Sequence, residues 1–161
     1  MNALIHARLL RDMRWRSRIA IVLFAFPVLC FLAAGGLALE VLAYISRSEP
    51  LTGTAVQVYA RPGETIFDRG RINYEPVFTY TQDGEERRAS VGSGHTAFRM
   101  EVGDTAPIRA IPGDRGNVRL DTFQGLWFVP VTIALFGLAS LVVLLPLWWA
   151  ANRFLFRKGQ A

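Results

Sequence analysis

The stretch IAIVLFAFPVLCFLAAGGLAL, residues 19–39, holds twenty-one residues without a charge and follows directly on an arginine-rich head. At ~1.5 Å per helical residue it reaches about 32 Å, which matches a hydrocarbon core of roughly 30 Å. It therefore reads as a membrane-spanning helix, the core of a segment over 19–45. A cleaved signal peptide shares the basic head and the apolar run. Against cleavage stand a run longer than the usual ~7–15 residues and the lack of a small-x-small site after Ala38. A lipoprotein reading through Cys30 fails because Leu29 stands where a small residue is needed. Pro27 is expected to bend the helix, and Ala34 with Ala38 to offer a small-residue packing face. Glu40 falls near the outer interface, either as a snorkelling acid or as a contact to a partner subunit.

On the N-terminal side, residues 1–18 set Ile5, Leu9 and Met13 at helical spacing, with Arg8, Arg11, Arg14 and Arg18 mostly on the other side. Two readings are open: a disordered basic tail, or an amphipathic helix on the inner membrane surface, where each Arg near anionic lipid contributes ~1 kcal/mol. A second uncharged run of twenty-six residues covers 126–151, within a segment over 124–151. Trp127 lies at its start and Trp148 and Trp149 near its end, as in an aromatic belt at the lipid headgroups, and Arg153, Arg157 and Lys158 follow in a basic tail over 152–161. Basic flanks at the outer ends of both runs put both termini in the cytoplasm and the middle of the chain outside it.

Composition agrees. The chain has 161 residues, 52% hydrophobic, and a mean hydropathy of +0.26, which suits one small domain carried on membrane anchors. Its net charge of +5 comes from its ends, because residues 46–123 hold ten Arg against eleven Asp or Glu. A basic excess confined to the flanks of apolar runs is a topology signal, so lipid is the expected partner and nucleic acid is excluded. Cys30 is the only cysteine, which rules out an intrachain disulfide.

Between the spans, 46–123 is turn-rich and β-branched. Val56 and Val58 alternate with Gln57 and Tyr59, predicting a strand over 54–61 that ends at Arg61-Pro62-Gly63. Residues 72–81 alternate again, with Ile72, Tyr74, Pro76, Phe78 and Tyr80 on one face. Asp83-Gly84 then gives a two-residue hairpin signal. That loop sets Phe78 opposite Ala89, Pro76 opposite Val91 and Tyr80 opposite Arg87. Pro76 has no N–H and is expected at an edge or a bulge. Further strands are predicted near 107–111 and 117–120, with turns at Val102-Gly103-Asp104 and Pro112-Gly113-Asp114. Five short strands suggest a small antiparallel barrel or curled sheet. The fold class is thus membrane α plus small all-β: two transmembrane helices flanking an extracytoplasmic β domain.

The layout resembles a bacterial membrane family of unknown function, number 3592 in the domain-of-unknown-function series. Thr52-Gly53-Thr54-Ala55-Val56, Tyr74-Glu75-Pro76-Val77-Phe78-Thr79-Tyr80 with Asp83-Gly84, and Val102-Gly103-Asp104 between two apolar spans carry the likeness over 52–145. A Tyr-Asp-Pro turn usual in that family is replaced here by Ile111-Pro112-Gly113-Asp114. The resemblance implies a membrane-anchored small β domain and carries no catalytic residue.

Chemical motifs are thin. Gly92-Ser93-Gly94-His95-Thr96-Ala97 fits G-x-G-x-x-A on paper, but no crossover helix or parallel sheet accompanies it. Ser93, His95 and Asp104 fall in polar loops without a nucleophile elbow. His95 is alone, with no cysteine in the middle of the chain, so no zinc set is legible, and neither is a calcium-loop spacing. No cofactor is expected. Glu85-Glu86-Arg87-Arg88 reads as hairpin solvation or as a charged docking patch, and Arg69 and Arg71 as a solvated loop or a headgroup contact. The expected function is that of a non-catalytic accessory protein docking on another integral membrane protein or a second copy, with Glu40, Arg87, Arg88 and Tyr80 as candidate contacts. The alternative is a sensor passing a ligand signal through its two helices to a cytoplasmic partner. An enzyme ranks third.

Overall fold

The structure, a computed structural model, describes residues 2–63 and 69–154, with side chains described at 15, 17–63 and 69–153. Its elements run α1 (Asn2–Arg47), β1 (Glu49–Pro62), β2 (Ile72–Gln82), β3 (Glu85–Ser90), a 3-10 turn (Thr96–Phe98), β4 (Thr105–Ala110), β5 (Arg119–Leu120), α2 (Phe123–Leu126) and α3 (Phe128–Phe154). Helix α1 continues without a break from Asn2, so no helix boundary separates residues 2–18 from the apolar run. The side chains of Arg8, Arg11 and Arg14 and the tail with Arg157 and Lys158 lie outside the described residues.

The chain divides into two compact units. The first joins α1 up to Leu37 with α3 from Pro130. Phe24 and Trp148 meet edge to face at 6.4 Å, while Gly137 lies against Cys30 and Phe31, so the two helices run antiparallel. A Cβ on Gly137 would stand 3.0 Å from Cys30 Cβ, which shows how closely the backbones approach. Pro27 and Ala34 are buried seven residues apart, two helical turns, on the face that carries Cys30 between them. The other faces of both helices present Leu, Val, Ile and Phe outward.

The second unit, Ala38–Val129, is built on a five-stranded antiparallel sheet in the order β3-β2-β1-β4-β5. The arrangement β4-β1-β2-β3 is a Greek key, with β5 added beside β4. The hairpin register falls as the Asp-Gly signal predicts: Phe78 pairs with Ala89 and Tyr80 with Arg87. Asp83 at φ 54° and Gly84 at φ 79° form the type I′ turn whose twist matches the strands. The barrel alternative is not realised. Strands β3 and β5 stay separate edges, and among the described residues a single backbone bond, from Val118 N–H just before β5 to Ser90 O at 3.0 Å, bridges the gap.

One irregularity interrupts the β1–β2 ladder. The β1–β2 register shifts between Ala55 and Gln57, and Val56 is exposed there. This bulge makes Val56 the extra residue and resets the alternation, burying Ala55 in its place. Of the two places expected for Pro76, an edge or a bulge, the structure has it on an inner strand opposite Val58 and close to that bulge. Its missing N–H falls where β3 has ended and only its carbonyl still accepts, from Val91 N–H at 3.2 Å.

Ala55, Phe78, Tyr80, Val91, Phe98, Ile108, Ala110, Val118 and Leu120 form the main core. Gly53 passes so close that an added Cβ would lie 2.8 Å from Ile108 Cδ1 and 3.0 Å from Phe78 Cβ. A second cluster of Val41, Tyr44 and Leu126, flanked by Ile45, Ile111 and Trp127, packs the end of α1 onto the sheet.

Candidate functional site

Two polar features stand out on the second unit. The first is a clasp between the end of α1 and the β4–β5 hairpin. Arg119 donates two hydrogen bonds to Glu40, at 2.7 Å to Oε1 and 3.0 Å to Oε2, and its guanidinium lies 4.3 Å from the centre of the Tyr44 ring. Tyr44 donates its hydroxyl to Arg109 O at 2.6 Å. Arg109 Nε lies 3.0 Å from Asp121 Oδ1, an ion pair whose angle is not that of a hydrogen bond. Glu40 and Tyr44 are four residues apart and share one face of α1, and Arg109 and Arg119 face each other across the hairpin. The ladder therefore holds both arginines beside the helix. Bidentate pairing and ring stacking fix direction as well as strength, although at 34% and 48% side-chain exposure the Arg119–Glu40 pair is substantially screened by solvent.

The second feature is the unclosed seam. Past the Val118–Ser90 bond, β3 and the β4–β5 connection part to leave a groove of about 390 Å³, lined by Tyr80, Glu85, Glu86, Arg87, Arg88, Ala89, Gly113, Asp114 and Arg115. Arg87 donates to Gln82 Oε1 at 3.2 Å and lies 3.5 Å from Glu85. Arg88 donates to Gln57 Oε1 on the opposite face of the sheet at 2.6 Å. Burial pushes the Tyr80 phenol above its ordinary value of 10, with Arg87 acting in the other direction.

The structure thus brings Tyr80, Arg87 and Arg88 together at the groove and sets Glu40 apart in the clasp. Of the expected lipid contacts, Arg18 is exposed, and Trp149 is exposed with Arg153 over its ring at 5.7 Å. Trp148 packs on Phe24, and Trp127 is half-buried against the Val41–Tyr44 cluster. Arg119, Arg109, Tyr44 and Asp121 were not legible as a set. Glu40 and Arg119 are seventy-nine residues apart, and Arg119 resembles nine other arginines between the spans.

Residues considered for chemistry are engaged locally. His95 Nδ1 accepts from Ala97 N–H at 3.0 Å, and its ring packs on Phe98 and Phe128. Asp104 accepts from Glu101 N–H at 2.7 Å. Among the described residues, no three His, Cys, Asp or Glu side chains gather as metal ligands would.

No family model, curated protein or solved structure matches this chain.

Proposed function

We propose that the chain is a non-catalytic accessory protein of the bacterial cytoplasmic membrane, with α1 and α3 spanning the bilayer, both termini cytoplasmic and the β unit outside. One observation carries the membrane reading: the apolar side chains of both helices point outward, with Val22 75%, Ile21 69%, Leu32 68% and Val142 65% exposed. An apolar surface of that extent calls for lipid or other helices, and helices satisfy their own backbone bonds there. The layout likeness to the family named above belongs to the same proposal. Docking on another integral membrane protein is supported by a small sheet that keeps two open edges and a charged groove.

A Ser93→Cys variant, with Cys30 replaced by Ala, tests orientation. The reading expects modification by an impermeant thiol reagent on intact cells, and labelling only after lysis overturns it. Purification in mild detergent is expected to bring down a stoichiometric membrane protein. A lone monomer would overturn the accessory role.

The clasp favours a second reading, an extracytoplasmic sensor, because a sheet tied to the end of α1 moves with it. Under that reading, cutting the clasp abolishes the ligand response while leaving ligand binding intact.

A further inference from the structure

We propose that the seam between β3 and the β4–β5 connection receives one extended segment of a partner protein, which pairs with the free edge of β3 and carries a cationic residue next to an acidic one. The inference rests on the docking reading and gives it a place and a partner chemistry.

Backbone alternation makes the edge available. Val91 N–H bonds to Pro76 O, and counting back along the ladder, Ala89, Arg87 and Glu85 turn their backbone groups toward β2. Glu86, Arg88 and Ser90 therefore turn theirs away. Ser90 O is taken by Val118 N–H, while no bond beyond the sheet is made by the backbone of Glu86 or Arg88 among the described residues. An added strand extends the sheet from these two residues and fills a groove whose 390 Å³ lies in the range of about 300–1,000 Å³ usual for ligand sites.

The charges select the occupant. Arg87 and Arg88 are already held by Gln82, Glu85 and Gln57. Among the described residues, Glu86 and Arg115 make no ion pair or side-chain hydrogen bond, and the Asp114 carboxylate accepts only from Gly116 N–H in its own turn, so these three are the charges an incomer meets. A residue opposite Glu86 shares its face, and a cation there completes a cross-strand pair. Its chain neighbour falls on the groove face, where Arg115 is the cation without a partner among the described residues; a carboxylate that reaches Arg115 is favoured over one that stops beside Asp114. A second folded copy does not fit. Its own β2 would have to arrive one strand spacing of about 4.8 Å beyond its β3, on the side of the groove lined by Gly113, Asp114 and Arg115, whereas a single extended segment brings no second strand.

A random linear dodecapeptide display library, panned on the full chain in nanodiscs with Arg88→Pro as counter-target, tests this. The Arg88 N–H points away from β2, so proline removes the donor and spares the ladder. Unchanged amide protection in β1 and β4 verifies that the variant folds, and Glu86→Pro serves if it does not. The expected result is enrichment of peptides with adjacent cationic and acidic residues, at least tenfold weaker binding to the proline variant, and slowed exchange of the Glu86 and Arg88 amides. Glu86→Lys is expected to reverse the cation preference. Failure to enrich, equal binding to the folded proline variant, or unslowed amides overturns the inference. If a co-purifying protein stays bound to Arg88→Pro, docking stands and the seam is not its site. Peptide capture by a chain that purifies without a partner leaves the seam standing and removes the accessory role.

Discussion

Cutting the clasp should loosen the end of α1 from the sheet by a measurable amount that depends on both charges. In a double-mutant cycle of Arg119→Ala and Glu40→Gln, each single change removes the bidentate pair, but only the arginine change also strips the cation from the Tyr44 ring. A half-exposed, two-bonded pair is worth about 0.5–1 kcal/mol after solvent screening. The ring contact adds about 0.5–1 kcal/mol. Arg119→Ala is therefore expected to cost about 1–2 kcal/mol and Glu40→Gln about 0.5–1, with a coupling close to the smaller figure. Hydrogen exchange in nanodiscs reads this as faster opening of the segments around Tyr44 and Arg119, with the β2 amides near Phe78 less affected. Raising the salt should shrink the coupling further, since the pair is open to solvent. Additive single mutants, with a coupling below about 0.2 kcal/mol, would refute the clasp as an energetic link.

Phe78→Ala should cost about 3–5 kcal/mol, enough to unfold so small a β unit, because the ring is fully buried at the centre of the core; loss of amide protection across the sheet is the check. Gly53→Ala should destabilise as well, and Ile108→Val in the same chain should recover part of the loss, since the added methyl meets Ile108 Cδ1 at 2.8 Å. Melting temperature reads both variants. For Tyr80, burial holds the phenol above its ordinary 10, so the unfolded chain loses that proton first as pH rises. Stability is therefore full below about pH 10 and falls as pH climbs toward the folded value, and Tyr80→Phe should flatten that decline in alkaline melts.

Much of the fold was open to reading because it rests on neighbours in the chain. The uncharged runs depend on composition alone, and the hairpin register depends on Asp83-Gly84 and the alternation that flanks it. That Pro76 sits near a bulge and not at an edge was left open by the sequence, because a bulge is set by what crosses between β1 and β2, and period-two alternation holds no trace of it. Of the candidate residues, Tyr80, Arg87 and Arg88 were close in sequence and came together. Arg115, on the other wall, is brought there by the route of β4 around the sheet.

The sequence by itself determined two apolar helices, a β unit between them and the register of one hairpin, since each follows from side-chain type and spacing within one continuous stretch of chain. Only the tertiary structure decided that the sheet stays open, that Glu40 meets Arg119 and that the seam becomes a groove. Those outcomes depend on strand order and on contacts between residues tens of positions apart, where no local periodicity carries the information.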